Sequence, residues 1–155
     1  MEATKKINKV QENLKLMHTY FDALFGKDIG IILNLMDDNI EWLVVPTGDS
    51  IKGKEKLAAF AKNHWAGSPG RVKKLINVFA SEDFACLEYS TIGVVTKAVD
   101  FPSIKIAPSG NKYEFSCCFV FHIINGKIDR VREYFDMATV QRQLGTATDT
   151  GDNKN

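Results

Sequence analysis

The sequence has few cysteines and no long apolar segment. Its 155 residues include three cysteines, two of them adjacent, and no Cys-x-x-Cys pair. This pattern argues against a disulfide framework and favours a reducing compartment, so we expect a cytoplasmic protein. No apolar run approaches the roughly 20 residues that span a membrane. The N-terminal segment also lacks the apolar core of a secretion signal, so we expect no membrane partner.

An excess of charge of one sign is also missing. The net charge is +1 and no block of like charge occurs. A general nucleic-acid binder needs a basic face to neutralise phosphates, so no nucleic-acid partner is predicted. His18, His64 and His122 are not spaced as metal ligands, and we expect neither a metal nor another cofactor.

What the sequence does contain is enough apolar material for one core. Hydrophobic residues make up 45% of the chain, which at this length is sufficient for a single globular domain. We assign that domain to residues 1–145. The segment 146–155 is small and polar, which predicts a disordered tail.

The most regular pattern lies between residues 111 and 136 and predicts a β-hairpin. Asn125-Gly126 suits a type I′ turn, because both residues tolerate positive φ angles. Alternation before the turn places the apolar residues of one strand on one face. After the turn, Asp129 and Glu133 share a face with Val131 and Phe135. A carboxylate on an apolar face is the most suggestive chemical feature of the sequence.

Upstream of this hairpin, the chain changes from helical to strand periodicity. Spacings of three and four predict a helix from Ile7 to Leu24 that Gly26 ends, then a helix over Ile29–Met36 that Asp28 caps. A third helix is predicted from Lys54 to Trp65, with Leu57, Phe60, Ala61 and His64 on one side.

The remaining segments read mainly as strands and loops. Strands are predicted at 40–45, 71–80 and 84–95, loops at 47–53 and 97–110, and a short terminal helix at 137–144. The order predicts an α+β fold with helices on one face of a curved, mostly antiparallel sheet. A strongly bent sheet with a helix across it forms a cone, whose mouth is a natural small-molecule pocket.

Four local motifs resemble the NTF2-like superfamily and, within it, the SnoaL-like family. They occupy the exit of the first helix, the first strand, the start of the third helix, and the final hairpin with its tail. The segments are Tyr20–Asp28, Asp38–Trp42, Ile51–Leu57, and Asn125–Ile128 with Arg132–Asp136 and Gln143–Gly145. The resemblance implies a cone-shaped fold with three N-terminal helices on the curved sheet, and a homodimer. It specifies activity poorly, because the superfamily includes isomerases, cyclases, hydrolases and binding modules.

Two activities of this superfamily lack their residues here. Ketosteroid isomerases use a helix-1 tyrosine, which Tyr20 matches, but Leu43 stands where their general base would be. Their second oxyanion donor falls near Cys118 or Phe119. Epoxide hydrolases of the limonene type use an Asp–Arg–Asp set. Their arginine and first aspartate correspond to Tyr89 and Thr91, and their last aspartate corresponds to Glu133. Their water-holding Tyr and Asn correspond to Glu41 and Leu43. Neither mechanism is expected intact.

SnoaL-type polyketide cyclases are the closest remaining template. Their acid/base aspartate on the last strand corresponds to Glu133, whereas their pocket histidine corresponds to Phe119. Glu133 is therefore the first candidate for proton transfer, since apolar neighbours raise the pKa of a carboxyl group. The alternative is a half-exposed Glu paired with Arg or Lys. Tyr20 and Tyr89 are candidate oxyanion donors, or else ordinary core aromatics.

Other residues are assigned to substrate binding. Glu41 is a candidate second pocket carboxylate, or else a solvated side chain, and Trp42 packs against a ligand or in the outer core. The predicted pocket wall consists of Leu43, Phe115, Phe119, Phe121 and Val131.

Three functions remain open from the sequence. The first is a cofactor-free enzyme of the SnoaL-like type, in which Glu133 transfers a proton next to a carbonyl group of a small hydrophobic substrate. The second is a non-catalytic binding or dimerisation module that uses the same cone. The third is protein recognition through the exposed sheet.

Overall fold

The computed structural model describes residues 1–145, so the predicted tail at 146–155 lies outside the described residues. The chain forms four helices and eight strands within this range. In chain order they are α1 (Glu2–Gly26), α2 (Ile29–Leu35), β1 (Met36–Val44), β2 (Asp49–Lys52), α3 (Lys54–Gly67), β3 (Val72–Ala80), β4 (Phe84–Val94), β5 (Val99–Asp100), β6 (Lys105–Ile106), β7 (Lys112–Ile124), β8 (Lys127–Phe135) and α4 (Met137–Leu144).

Six of the strands form one sheet in the order β2-β1-β8-β7-β4-β3. All neighbours are antiparallel except β1 and β8, which pair in parallel. The predicted α+β fold with a mixed, mostly antiparallel sheet is confirmed, as are its three N-terminal helices. The predicted short helix α4 is the fourth. The β7–β8 turn is also as predicted, with positive φ at Asn125 and Gly126.

The loops predicted at 47–53 and 97–110 are wrong in part. Residues Asp49–Lys52 form β2 on the edge of the main sheet, and the longer loop contains the two-residue strands β5 and β6. These strands are too short to show a recognisable alternation, since a period of two needs several repeats to be distinguished from a loop.

The helix ends follow from local chemistry. The Asp28 side chain accepts a hydrogen bond from the Ile31 backbone N–H, so the predicted cap of α2 is confirmed. Helix α1 ends at Gly26 as predicted, but Gly26 does not take the left-handed conformation that was expected of it. Lys27 takes the left-handed conformation instead, with φ of 58°, and its side chain reaches the carbonyl oxygen of Pro69.

Register shifts bend the sheet. They occur in β1 between Met36 and Glu41, in β3 between Leu75 and Asn77, and where β7 meets β8 near His122. An extra residue in one strand increases the local twist and bends that strand. In β8 the shift reverses the expected side of Asp129, whose carboxylate contacts His122 on the outer face. The prediction that Asp129 shares a face with Glu133 is therefore wrong.

The inner face of the sheet carries the main core. Helix α1 lies across it, with Met17, Tyr20 and Ala23 buried against the strands. Buried Asn13 ties the middle of α1 to the turn before β4, because its amide donates to the backbone oxygens of Ser81 and Glu82. Helix α4 covers a smaller apolar cluster at the far end of β7. Between the two clusters, α3 stands off the sheet and leaves a cavity.

Candidate active site

A mainly apolar cavity lies between the inner face of the sheet and helices α1, α2 and α3. It contains about 540 Å³ of empty space, counting its mouth. Five residues bring chemistry to it: Glu133, Tyr20, Tyr89, Arg71 and Lys73. The rest of the lining is Leu24, Ile32, Trp42, Leu57, Phe60, Ala61, His64, Trp65 and Phe119.

Glu133 projects from β8 into this cavity and is half-buried there. The indole Nε1–H of Trp42 donates a hydrogen bond of 2.8 Å to its Oε2 atom. No other donor contacts the carboxyl group within residues 1–145, so Oε1 is left to the cavity. Burial raises the pKa of Glu133 to about 7, although the Trp42 hydrogen bond and the charge of Arg71 oppose this by favouring the anion. The group can therefore exchange a proton near neutral pH.

Tyr20 on α1 and Tyr89 on β4 line the same cavity. Both side chains are at most 3% exposed, and their rings make edge contacts with Phe119. Burial raises the pKa of both hydroxyl groups well above the usual value, and the nearby Glu133 carboxyl raises it further. Both phenols stay protonated at neutral pH and can donate hydrogen bonds.

His64 lies on the cavity side of α3. Its Nδ1 atom is 3.1 Å from the carbonyl oxygen of Phe60, and its ring packs against Phe60 and Phe101. Because a carbonyl oxygen only accepts, Nδ1 carries the proton and Nε2 keeps its lone pair. Burial, and secondly the charge of Arg71, lower the pKa of His64 to about 4, so the ring is neutral at pH 7.

Arg71 and Lys73 bring two basic groups to the cavity at the start of β3. Lys73 is only 6% exposed, and its ammonium group has one long contact of 3.4 Å with the carbonyl oxygen of Leu24. Burial lowers the pKa of Lys73 to about 8, and the neighbouring charges of Arg71 and Lys27 lower it further. The Nε–H of Arg71 donates to the Tyr113 hydroxyl at 2.7 Å.

Two predicted pocket residues of β1 lie outside the cavity. Successive side chains of a strand point to opposite faces, so Trp42 faces inward while Glu41 and Leu43 face outward. Glu41 contacts Lys52 and Ser50 on the outer face. The prediction that Glu41 pairs with Glu133 as a second pocket carboxylate is therefore wrong, and so is the assignment of Leu43 to the pocket wall.

Three predicted wall residues face inward without lining the cavity. Phe121 and Val131 are paired across β7 and β8 and are fully buried in the core beneath Tyr20. Phe115 packs with Tyr113 and Phe135 towards the smaller cluster. One face of a strand as long as β7 extends for about 40 Å, which exceeds the width of a small pocket. Only Phe119 of the predicted wall lines the cavity.

The sequence interpretation left His64, Arg71 and Lys73 out of the site. For His64 a signal existed, because the residue shares one side of the predicted helix with Leu57, Phe60 and Ala61. For Lys73 the strand pattern is misleading, since Val72 is exposed while Lys73 is buried. No sequence feature distinguishes this inward lysine from the lysines on the surface.

No metal site or membrane-spanning helix is seen in the part of the chain that the structure describes. Among residues 1–145, no three His, Cys, Asp or Glu side chains are grouped as metal ligands would be. No helix in that range is both long and apolar enough to cross a bilayer.

A comparison with known protein families gives one match, to the SnoaL-like domain, over residues 17–131. The chain has no significant match among functionally curated protein sequences.

Solved structures with a similar fold carry several different assignments. A candidate SnoaL-like polyketide cyclase from Jannaschia sp. CCS1 superposes with a TM-score of 0.76 at 18% identity, covering 87% of this chain and 92% of that one. A candidate polyketide cyclase from Pseudomonas putida KT2440 gives 0.69 at 22% identity, with coverages of 83% and 95%. An epoxide hydrolase of the LEH-like type from M. tuberculosis gives 0.67 at 18% identity, with coverages of 87% and 90%. At these identities the likeness concerns the fold.

Proposed function

The chain belongs to the SnoaL-like domain family, and from that premise we propose that it is an enzyme of acid/base chemistry on a small hydrophobic carbonyl compound. The observation that carries the proposal is the Glu133 carboxyl group, which lies half-buried in a mainly apolar cavity and is held at one oxygen by Trp42. Burial brings the pKa of this group to about 7, the range in which a carboxyl group serves as both base and acid.

In the proposed reaction, Oε1 of Glu133 removes a proton from the carbon next to the carbonyl group. The electron pair of the broken C–H bond moves into the carbonyl group, and the resulting enolate oxygen accepts a hydrogen bond from Tyr20 or Tyr89. Glu133 then delivers a proton to carbon. Delivery to another carbon atom completes an isomerisation, and delivery to the same carbon atom after the proton on Glu133 has been replaced from solvent completes an exchange. Chemistry of this kind needs a base and hydrogen-bond donors, and we propose that it proceeds without a cofactor.

The test is deuterium exchange at carbon. A panel of cyclic and aromatic ketones and lactones is incubated with the protein in D₂O, and incorporation is followed by mass spectrometry. We expect catalysed exchange into at least one compound, with a loss on the order of 10²–10⁴-fold for Glu133→Gln. Glu41→Gln is the matched control, because it removes a carboxylate from the outer face of β1 and should leave the rate unchanged.

Two results would count against this function. An exchange rate that is unchanged in Glu133→Gln would show that another group transfers the proton. A hydrophobic ligand that co-purifies unchanged, with no exchange across the panel, would favour the non-catalytic binding module of the same fold.

We further propose that the protein is a homodimer in the cytoplasm. The outer face of the sheet exposes apolar side chains on β3, β4 and β8, and such a face is suited to pairing with its own copy. They are Val72, Ile76, Phe79, Phe84 and Tyr134. All three cysteines are free thiols, including the inward Cys117 and the outward Cys118, which fits a reducing compartment.

A further inference from the structure

Arg71 and Lys73 place two cationic side chains on the same wall of the cavity. Lys73 lies on β3 and Arg71 is two positions earlier, immediately before the strand, and both side chains line the cavity. The guanidinium group of Arg71 is oriented by its Nε–H bond to Tyr113, whose hydroxyl in turn donates to Ser68 at 2.8 Å. Its two terminal nitrogens make no hydrogen bond within the described residues. The guanidinium group is therefore held in place, and its terminal N–H groups are available to bind a ligand.

These charges have no acidic partner in the described part of the chain. The ion pairs there involve other side chains, and no Asp or Glu oxygen lies within 4.0 Å of Arg71 or Lys73. Among residues 1–145, Glu133 is the one carboxyl group in the cavity lining, and its contact is with Trp42. Arg71 lowers the pKa of Glu133 less than that hydrogen bond does, and Lys73 has no resolved influence on it. The two cations are thus not explained as counterions of Glu133.

Keeping the buried ammonium group of Lys73 away from water without an acidic partner is costly, and a bound anion reduces that cost. The alternative of a structural ion pair is excluded by the contacts above. The apolar walls beside the two cations favour the singly charged carboxylate over a phosphate dianion, because the dianion is more costly to remove from water. Arginine also binds the planar carboxylate with two parallel hydrogen bonds.

We propose that the cavity binds a ligand that carries a carboxylate group, held by Arg71 and Lys73, with its apolar part between α3 and the sheet. The apolar walls that would receive this part are Leu24, Leu57, Phe60 and Trp65. The inference rests on the proposed function for its catalytic meaning, because it makes the substrate an acid that also contains the reacting carbonyl group. The binding itself does not depend on catalysis.

The test compares acids with their uncharged analogues. The full chain is titrated with 3-phenylpropanoate, 4-phenylbutanoate and hexanoate, each beside its primary amide, below about pH 8, where Lys73 is protonated. Binding is measured by calorimetry and by tryptophan fluorescence, since Trp42 and Trp65 line the cavity. Hydrogen bonds to charged groups predict that the best acid binds about 10- to 100-fold more tightly than its amide.

Variants locate the preference. Lys73→Met removes the charge and keeps nearly the length of the side chain. It should reduce the ratio of acid affinity to amide affinity at least tenfold, which corresponds to the loss of about one charged hydrogen bond. Lys74→Met is the matched control, because the neighbouring Lys74 is exposed and its loss should leave the ratio unchanged. Glu133→Gln should keep or increase the preference for the acid while abolishing proton exchange. This variant separates a failure of the binding site from a failure of the proposed reaction.

Three outcomes would overturn the proposal. They are equal binding of acids and amides to the unmodified protein, no binding of any acid at millimolar concentration, or an equal effect of Lys73→Met and Lys74→Met. The first two need no variant, so they decide the matter even if Lys73→Met fails to fold.

Discussion

Glu133 is costly to ionise in the folded protein, because its carboxylate loses water that one indole N–H only partly replaces. A carboxyl group with such a cost is typical of functional sites, since a buried carboxyl group at this position does not stabilise the core. Because of this cost, the free energy of unfolding should depend on the ionisation of Glu133, which can be measured without a known substrate.

Replacing Glu133 by Gln should stabilise the protein at high pH. The unfolded carboxyl group ionises near 4.5 and the folded one near 7, so between these values the folded state holds a proton that the unfolded state has lost. The stability associated with Glu133 is complete below pH 4.5 and is lost as pH rises through 7. Above pH 7, we expect the variant to gain up to about 3 kcal/mol in the free energy of unfolding relative to the unmodified protein.

The measurement is urea unfolding of both proteins between pH 4.5 and 8. The contribution of His64 to the pH dependence of stability has the opposite sign, because its pKa is lowered in the folded state and stability is lost as pH falls below about 6.5. That contribution is present in both proteins and cancels in their difference. A difference that does not change with pH would show that the folded and unfolded carboxyl groups titrate alike.

Trp42 supplies the hydrogen bond that limits the rise in the pKa of Glu133. Trp42→Phe removes the donor and keeps most of the ring, so we expect the pKa to rise above about 7. The measurement is a carbon-13 NMR titration of labelled glutamate side chains. Trp65→Phe is the control, since Trp65 lines the cavity without bonding to Glu133. A raised pKa of Glu133 in the Trp65→Phe control, or an unchanged pKa of Glu133 in Trp42→Phe, would contradict this role of Trp42.

At the scale of elements, the most regular segments were predictable and their pairing was not. The turn at Asn125-Gly126 identifies the β7–β8 hairpin, because few residue pairs allow two positive φ angles in succession. The contact between Trp42 and Glu133 joins residues 91 positions apart and depends on the parallel pairing of β1 with β8. No local pattern reports such a pairing, which is why Trp42 was not recognised as the partner of Glu133.

Irregularities in the strands caused some of the remaining errors. The shift near His122 turns Asp129 outward, and the shift after Leu75 interrupts the alternation of β3. A sequence interpretation that assumes an unbroken period of two misplaces the side chains on one side of such a shift, as it does Asp129. The shift in β3 does not explain the residues that were missed from the site, because Arg71 and Lys73 precede it and His64 lies on helix α3.

The close contact of Gly93 with Tyr113 and Ser68 leaves no room for a larger residue at position 93. Gly93 on β4 lies against Tyr113 and Ser68, and a Cβ atom there would be 2.6 Å from the Tyr113 hydroxyl and 2.7 Å from Ser68 Oγ. Gly93→Ala should therefore destabilise the protein by about 1–3 kcal/mol. Because Tyr113 orients Arg71, the change should also weaken the binding of carboxylates.

The matched control is Gly26→Ala at the end of α1. Nothing lies within 4 Å of the added methyl group, and alanine favours a helix by up to about 1 kcal/mol. Thermal unfolding of both variants gives the comparison. Equal stabilities would show that the Tyr113–Ser68 contact tolerates the methyl group.

At the scale of the whole molecule, the order of helices and strands and four short motifs were enough to predict the α+β fold and the family. Activity is a different matter, because proteins of this fold carry assignments as cyclases, isomerases and epoxide hydrolases. Among the predicted site residues, Glu133, Tyr20, Tyr89, Trp42 and Phe119 line one cavity. Their roles depend on charge and burial, which only the assembled molecule defines.

The proposed dimer can be tested on the outer face of the sheet. Phe79 is 61% exposed there, and Phe79→Glu would place a charge in the proposed interface. We expect the protein to sediment as a dimer and the variant as a monomer at the same concentration. Phe25→Glu is the control, because Phe25 is similarly exposed but lies on α1. A monomeric unmodified protein, or a variant that remains dimeric, would contradict this interface.

The account depends most on the state of one carboxyl group, so the most direct measurement is the infrared titration of Glu133 in the folded protein. The difference spectrum between the unmodified protein and Glu133→Gln isolates its carboxyl band from those of the other acids. The account predicts a midpoint near pH 7, as burial in the cavity requires. A midpoint near 4.5, the value of an exposed glutamate, would contradict both the enclosure of Glu133 and its proposed part in proton transfer.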